Sequence, residues 1–382
     1  MVVRVEVAAP LLAWARSRSG LSGSDLARRF PRLEDWESGT GSPTLKQLEK
    51  FAAATRTPVG YFFLQEPPEI AMPLPDFRTR RDEAIRQPSP DLLDTIFQAE
   101  QRQEWYRDYA RANEDGPLDI VGALSASGEV TAAATTMRER LDFGVGQRGP
   151  TWSESFRRLA DQAESLGILV MVSGVVGSNT HRPLDPAEFL GFALADGYAP
   201  VVFINGASTT AAQVFTLAHE LVHVWLGQSA LDDAALSDLP AQHAGTEQWC
   251  NQVAAELLVP LEELRRQFRP AAELTAALDG LARIFKVSTL VVLRRLREAG
   301  YLEPQQFWDA YESELARVRS LAPRPGGGNF YNTQPVRTSK RFARAIITST
   351  LEGQTLYSDA LQMLGFSKIS TLNELATRFG IV

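Results

Sequence analysis

Two histidines and a glutamate stand close together at residues 219–223. His219, Glu220 and His223 form an H-E-x-x-H motif, and the whole chain contains only four histidines. On an α-helix, residues four apart project from one face, so the two imidazoles can ligate one zinc ion. Zinc lowers the pKa of a bound water towards ~7, and Glu220 can then take its proton as general base. The motif therefore predicts a site for metal-assisted hydrolysis of an amide bond.

The segments around the motif predict the elements that position it. Val201–Asn205 is typical of a buried β-strand, and residues 206–210 are typical of a turn. Residues 211–226 then carry apolar side chains at helical spacing, and Gly227 is a stop signal. The alternative is a core helix whose histidines only satisfy hydrogen bonds. A glutamate between them is costly to bury without a purpose, so we expect a metal-binding helix.

A catalytic zinc ion usually takes a third protein ligand and keeps one position open for water. Downstream candidates for this ligand are Asp232, Asp233, Asp238, His243, Glu247, Cys250 and Glu256. Glu247 is best placed, because it begins an E-x-x-x-N pattern on a predicted helix that can fold back beside the first. One turn later, Asn251 could hydrogen-bond a ligating histidine from outside the ligand set.

Other roles for these downstream residues stay open. Glu247 could be a solvated helix charge, and His243 or Glu256 could be the ligand instead. His243 could also donate a hydrogen bond to the oxyanion of the transition state. Cys250 lies among apolar neighbours, which favours a buried core thiol over a ligand.

Four blocks of sequence around these residues resemble the ImmA/IrrE family of metallopeptidases. The blocks are residues 199–205, 213–223, 247–251 and 254–260, and the resemblance extends over residues 155–300. Their combination is far more specific than the five-residue motif alone. The fold that the resemblance implies is a gluzincin-like α+β domain with a small sheet packed on the active-site helices.

The resemblance also assigns roles to individual residues. It implies that His219, His223 and Glu247 hold zinc and that Glu220 is the catalytic base. Characterised members of the family cleave a repressor of the helix-turn-helix type, often in response to DNA damage, and so derepress genes. Phe189–Leu194 would then be a candidate edge strand that could hold an extended substrate peptide by β-addition.

Length and composition bound the remaining classes. The 382 residues allow two or three domains, and 44% hydrophobic with 22% charged residues is typical of a soluble globular protein. We expect no membrane span or export signal, because we find no long apolar run and no basic-then-apolar leader. The single cysteine fits a reducing cytoplasm, and the net charge of −7 argues against indiscriminate nucleic-acid binding by the whole molecule.

Helical spacing and breaker segments predict an α+β protein that is predominantly helical. We predict a helix-turn-helix domain at residues 1–66, a linker and helical region at 67–150, a zinc metallopeptidase domain with a small sheet at 151–320, and a small helical accessory domain at 321–382. Prolines after residue 66 and the glycine-rich run 322–328 mark two of these boundaries.

The N-terminal domain resembles the Xre-type helix-turn-helix and departs from it in one helix. Residues 21–27, 36–39 and 45–52 match the pattern, but only five residues stand between Phe30 and Trp36, which predicts a shortened recognition helix. This helix is also acidic, and carboxylates that face DNA phosphates weaken binding.

Three arginines of the same domain could still make contacts. Arg28, Arg29 and Arg32 are candidates for binding either a DNA backbone or a partner protein. DNA binding, protein contact and homodimer formation by this domain therefore all stay open.

The C-terminal segment, residues 329–382, has a different charge balance. Six basic residues stand against three acidic ones, with aromatic residues between them; the basic residues are Arg337, Lys340, Arg341, Arg344, Lys368 and Arg378. This content permits binding of a nucleic acid or an acidic partner. The spacing of leucines favours a small helical domain with a solvated basic face.

The sequence as a whole favours a zinc-dependent endopeptidase that cleaves a regulatory protein, either a repressor or an antitoxin. A generic protease in the cytosol would be toxic, and the flanking domains suggest that the activity is targeted. The alternative is a DNA-binding regulator, or the antitoxin of a toxin–antitoxin pair, whose zinc domain acts as a sensor or scaffold. The intact set of Glu220, His219, His223 and Glu247 favours catalysis.

Overall fold

The computed structural model describes residues 4–21, 23–70, 74, 88–232, 244–270, 273–320 and 330–382 of the chain. The chain divides into two compact units, one of residues 1–73 and 80–97, the other of residues 74–79 and 98–382. Helices predominate beside a small sheet, so the α+β class with mostly helical content is confirmed. The domain boundaries predicted from the sequence stay predictions.

The first unit is a helical bundle with its own apolar core. Phe30, Trp36 and Phe51 pack there through tilted and T-shaped ring contacts, with the Phe30 and Phe51 centroids 5.3 Å apart. Its elements are α1 (Ala9–Arg18), α2 (Gly23–Arg29), α3 (Leu33–Glu37), α4 (Leu45–Thr55) and a 3-10 helix (Val59–Phe63). Helical spacing in the sequence predicts helices at residues 11–19, 23–30 and 44–55, and the bounds of α1, α2 and α4 lie within two residues of these. Whether the bundle acts as a helix-turn-helix stays a prediction.

The helix α3 is only five residues long, as the sequence predicted for the recognition position. Its Glu37 accepts a hydrogen bond from Arg16 of α1 at 2.7 Å, so this carboxylate is engaged within the bundle. Arg28 forms an ion pair with an aspartate one turn earlier on α2, while Arg29 and Arg32 are exposed. Contacts of these three arginines with DNA or a partner stay predictions.

The second unit contains the last part of α5 (Pro90–Ala112) and the elements that follow. Its other helices are α6 (Val130–Arg140), a 3-10 helix (Val145–Gln147), α7 (Trp152–Ser165), α8 (Thr210–Leu226), α9 (Ala244–Leu258), α10 (Leu261–Gln267), α11 (Leu274–Phe285), α12 (Thr289–Glu298), α13 (Pro304–Ser320), α14 (Phe330–Thr338), α15 (Lys340–Leu351), α16 (Tyr357–Leu364) and α17 (Ile369–Arg378). Among the described residues, we find no helix with the length and apolar character needed to cross a membrane.

A four-stranded mixed sheet lies in the second unit. Its strands are β1 (Leu169–Ser173), β2 (Gly191–Leu194), β3 (Val201–Asn205) and β4 (Ala230–Asp232), in the spatial order β1-β3-β2-β4. β1 and β3 are parallel, whereas β2 runs antiparallel to both β3 and β4. The strand before the motif helix is therefore confirmed at the predicted residues, 201–205.

The expectation that Phe189–Leu194 forms an edge strand is wrong. β2, which spans most of that segment, lies inside the sheet because β3 and β4 pair with it on its two sides. β4 has only three residues, too few to show a period-two pattern in the sequence, so its pairing could not be predicted. An added strand could not pair with β2 along the stretch that β4 occupies.

The two faces of the sheet pack against different helices. Val170, Val202 and Ile204 point to the face that shares one apolar core with Leu217 and Leu221 of α8. Alternate side chains point to the other face, as the period of a strand requires. There the rings of the paired β2 and β3 phenylalanines stack at 5.0 Å. Helices α14 and α15 pack against β1.

The C-terminal helices contact the rest of the second unit through polar side chains as well as by packing. Glu164 of α7 accepts a hydrogen bond from Ser339 Oγ at 2.6 Å. Lys340 pairs with Asp161 at 2.6 Å, and Arg341 donates to the hydroxyl of Tyr106 at 2.7 Å. The segment is helical, as the sequence predicts. Lys340 and Arg341 belong to the basic face expected to be solvated, yet they bind groups of the same unit.

Candidate metal centre

The helix α8 carries the motif and forms where its sequence predicts. The Thr209 side chain caps its first turn by accepting a hydrogen bond from the Ala212 N–H. Gly227 ends it in the left-handed region, at φ 70°, where glycine is favoured because it has no Cβ. All residues from Val214 to Trp225 are buried, so the two histidines face the interior of the unit.

His219, His223 and Glu247 meet in this interior. The two Nε2 atoms lie 3.1 Å apart, and Glu247 oxygens lie 3.2 Å from His219 Nε2 and 3.1 Å from His223 Nε2. Ligands held at about 2.0–2.1 Å around a tetrahedral zinc ion lie about 3.3 Å from one another. The three side chains therefore fit a metal ion without rearrangement, and they form a candidate metal-binding set in the described part of the chain.

Burial sets the ionisation of this cluster. Burial lowers the pKa of His223 and favours its neutral imidazole, and the neighbouring His219 acts in the same direction. Burial alone would raise the pKa of Glu247, but interactions with the two imidazoles outweigh it and hold that pKa far below its ordinary value. A neutral imidazole and an ionised carboxylate are the forms that bind a metal.

Glu220 lies on the same buried stretch of α8, next to the first strand residue of β2. A Cβ at Gly191 would lie 3.1 Å from Glu220 Oε1 and 2.6 Å from Thr216 Cγ2. Only a glycine leaves room for the glutamate at this approach of strand and helix. Gly191 was not predicted from the sequence; a glycine at the start of an apolar strand is the signal that could have identified it.

Two residues after Glu247 on α9 were also singled out from the sequence, Cys250 and Asn251. The Cys250 Sγ atom lies 4.0 Å from His223 Nδ1 and is fully buried, in agreement with a core thiol. Asn251 is half-buried one turn after Glu247, and its hydrogen bond to a histidine stays a prediction. The thiol is thus a neighbour of the His223 imidazole, a contact that was not predicted from the sequence.

Of the other candidate ligands, Glu256 lies away from the cluster, and those between residues 233 and 243 lie outside the described residues. Glu256 pairs with Arg295 and accepts a hydrogen bond from the Leu261 N–H, which places it at the far end of α9. Its role as an alternative ligand is therefore wrong. Residues 233–243 are not described, so His243 as a ligand or oxyanion donor, like Asp233 and Asp238, lies outside the described residues.

Comparison with known proteins finds a matching domain model and similar proteins for part of the chain. Residues 163–297 match the IrrE N-terminal-like domain. The chain is similar to the radiation response metalloprotease IrrE of Deinococcus deserti, with 32% identity over 154 residues that cover 36% of this chain and 52% of that protein. The protein of the same name from Deinococcus radiodurans is 32% identical over 141 residues, covering 32% of this chain and 42% of that protein. Residues 338–378 match a domain of unknown function (DUF8813).

The family match and the metal-binding set fall on the same part of the chain. The matched segment begins before β1 and includes the sheet, α8 with both histidines and α9 with Glu247. The chain spans about half the length of the curated relatives that it matches. Within residues 163–297, this chain is similar to the IrrE metalloproteases and matches the IrrE N-terminal-like domain.

Proposed function

We propose that the protein is a zinc-dependent endopeptidase that cleaves a regulatory protein. The observation that carries the proposal is the buried set of His219, His223 and Glu247, whose ligand atoms all lie within 4.8 Å of one another. Two histidines and one carboxylate are a donor set typical of catalytic zinc, which leaves a fourth position for water or substrate. The general base that peptide hydrolysis needs, Glu220, lies between the two histidines on the same helix.

The proposed mechanism assigns one task to each side chain. His219, His223 and Glu247 hold zinc, which when bound supplies a Lewis acid that activates water and polarises a carbonyl. Glu220 takes the proton of the attacking water on its carboxylate and returns it to the leaving amine. The apolar wall of α8 and the sheet excludes bulk water, so the charges of the site act in a low dielectric.

The substrate class that we propose is a transcriptional repressor or antitoxin of the helix-turn-helix type. The support is the similarity to two proteins whose name states a radiation response and a metalloprotease activity. The single buried thiol suits a reducing cytoplasm, where such regulators act.

We propose that the N-terminal unit recognises protein rather than operator DNA. A helix of five residues, as in α3, spans roughly 7–8 Å, about one and a half turns, which is short for reading base edges in a major groove. One of its carboxylates is already bound to α1. The intact protein should give no discrete band shift with its own promoter at about 0.15 M salt. A sharp, sequence-dependent shift would contradict this proposal.

The experiment that tests the proposed function compares the wild type with Glu220→Gln. The amide keeps the shape of the side chain but cannot accept the proton, so zinc content should stay near one per chain while cleavage falls by roughly 100-fold or more. Bound zinc is measured by elemental analysis of the purified protein. Cleavage is measured by labelling new protein N-termini in cells that express either form. A new N-terminus within a helix-turn-helix regulator should appear with the wild type alone.

The matched control is Glu262→Gln, the same substitution on an exposed side chain of α10. This variant should retain both zinc and cleavage, which separates loss of the base from the chemistry of the substitution itself. Full biological activity of Glu220→Gln would contradict the peptidase proposal and leave the metal site without a catalytic role.

A further inference from the structure

The C-terminal end of α9 is held by three arginines from three separate segments. A helix leaves its last carbonyl groups without helical partners, and here Leu257 and Leu258 are fully buried, away from water. Arg138 of α6 donates to the Glu256 carbonyl at 2.6 Å. Arg295 of α12 donates to the Val259 carbonyl at 3.0 Å. We call these two residues and Arg148 the arginine clamp.

Arg148 is the centre of the arginine clamp. Its guanidinium donates to the carbonyls of Leu257, at 3.1 Å, and Leu258, and also to the Phe285 carbonyl at the end of α11, at 2.7 Å. The side chain is 1% exposed, and its hydrogen bonds go to carbonyl groups. Burial and the charge of Arg138 lower its pKa to about 9. A cation so costly to bury indicates that the position of this helix end is tightly specified.

The arginine clamp and Glu247 lie at opposite ends of α9. A shift of the clamped end along the helix axis would therefore also move Glu247. Glu247 is in the first turn of α9 and faces the histidines of α8, while the clamp holds its last turn. A slip of one residue along the axis would move Glu247 by about 1.5 Å. Metal–ligand distances normally stay within about 0.2 Å of their usual values. Axial anchoring of α9 is therefore a condition for a complete ligand set.

We infer that the arginine clamp, with Arg148 at its centre, is a positioning device that fixes Glu247 for metal binding. The inference rests on the proposed function, since it takes Glu247 as a zinc ligand. The clamp acts through the helix and touches neither the metal nor substrate. Arg138 and Arg148 lie more than one hundred residues before their carbonyl partners on α9, and Arg295 comes from α12, so the clamp forms only when α6, α9, α11 and α12 are assembled.

The test compares zinc affinity in the full-length wild type, Arg148→Met and Arg148→Lys, by competition with a chromophoric chelator. Arg148→Met should bind zinc about 10-fold more weakly. Arg148→Lys should recover part of the affinity, since an ammonium can still donate to the carbonyls. Cobalt(II) in place of zinc should show a weakened visible spectrum in Arg148→Met, because Glu247 no longer completes the ligand set. If Arg148→Met does not fold, the half-buried Arg138→Met replaces it, with a smaller loss of about 3-fold expected.

Arg102→Met is the matched control. Arg102 is also buried, and it donates to the carbonyl of Met363 in α16, a helix that carries no metal ligand. It should lower thermal stability and leave zinc affinity within about twofold of the wild type. Zinc affinity in the clamp variants equal to that of the wild type would overturn the inference and leave the proposed function standing. A wild type that binds no zinc would overturn the proposed function itself.

Discussion

Burial lowers the pKa of His223 and, taken alone, would raise the pKa of Glu247. The contacts between these side chains decide which form of each one is favoured. Desolvation disfavours the charged form of each group, which suits His223 but opposes an ionised Glu247. The two imidazoles lie within 3.2 Å of the carboxylate, and they stabilise its ionised form by more than burial disfavours it. The pKa shifts of His223 and Glu247 therefore both favour the protonation state in which each side chain binds a metal.

Gly191→Ala should damage the base while leaving the metal ligands in place. The added methyl group would meet Thr216 Cγ2 at 2.6 Å, the Phe203 carbonyl at 2.9 Å and Glu220 Oε1 at 3.1 Å. Overpacking of this kind costs about 1–3 kcal/mol of unfolding free energy. A displaced base lowers kcat/KM by roughly 100-fold. Chemical denaturation, zinc analysis and a cleavage assay measure the three effects separately.

Gly280→Ala is the control for that substitution. Among the described residues, no atom outside the neighbouring backbone of α11 lies within 4 Å of the new methyl group. Replacement of a helical glycine by alanine should raise stability by about 0.5–1 kcal/mol. Normal cleavage by Gly191→Ala would show that the close approach at Glu220 is not required for catalysis.

The side chains of the centre were predictable to different degrees. The spacing of His219 and His223 follows from one helical turn, and Glu247 was favoured because it precedes a second helical pattern. Arg148 could not be identified, since its carbonyl partners lie more than one hundred residues away in sequence and carry no side-chain signature. The packing of Gly191 against Glu220 depends on how a strand meets a helix, which no local pattern records.

At the junction between α7 and the C-terminal helices, the Glu164 carboxylate accepts two hydrogen bonds, and burial still disfavours its ionised form. Glu164 accepts from Ser339 Oγ at 2.6 Å and from the Lys340 N–H at 2.9 Å. Burial nevertheless raises its pKa above the ordinary value, because desolvation outweighs these bonds. The folded state therefore binds its proton more tightly than the unfolded state does, and ionised Glu164 opposes folding.

Glu164→Gln should consequently be more stable than the wild type at about pH 7.5. The raised pKa means that Glu164 favours folding below its unfolded pKa, about 4.5, and that this contribution is lost as pH rises through the folded pKa. The gain in Tm should shrink as pH falls towards about 5. Thermal melts across this range check the sign.

Glu129→Gln should show the opposite pH dependence. Glu129 caps α6 by accepting hydrogen bonds from the Thr131 and Ala132 N–H groups, which lower its pKa. Its stabilising effect is present at neutral pH and is lost as pH falls below its ordinary pKa. A gain in Tm for Glu164→Gln that does not depend on pH would show that ionisation is not the cause.

Helices and strands differ in how well their sequences specify them here. The helix α8 has a long apolar pattern with a clear stop signal at Gly227, so its predicted bounds, 211–226, differ from the observed ones by one residue at most. β4 is too short for a pattern, and without it β2 looked like an edge strand. The C-terminal basic residues were expected in solvent because a sequence does not reveal that Lys340 and Arg341 meet partners on α7 and α5.

Considered as a whole, the second unit places its sheet between the metal-binding helices and the C-terminal helices. The α8 face forms the core beside the histidines, while α14 and α15 pack against β1. Residues 338–378 match a separate domain of unknown function, yet they fall in the same compact unit as the peptidase segment. A substitution that destabilises the C-terminal helices should therefore also destabilise the metal centre.

Ile346→Ala tests this coupling. Ile346 is fully buried in α15, and its truncation should cost about 2–5 kcal/mol. If the unit unfolds cooperatively, the temperature at which zinc is released on heating should fall together with the loss of helical circular dichroism. Leu356→Ala, at a leucine that is 69% exposed in the same segment, should change neither. Zinc release at the wild-type temperature in Ile346→Ala, despite an earlier loss of helix, would mean that the C-terminal helices unfold as a separate domain and do not support the metal centre.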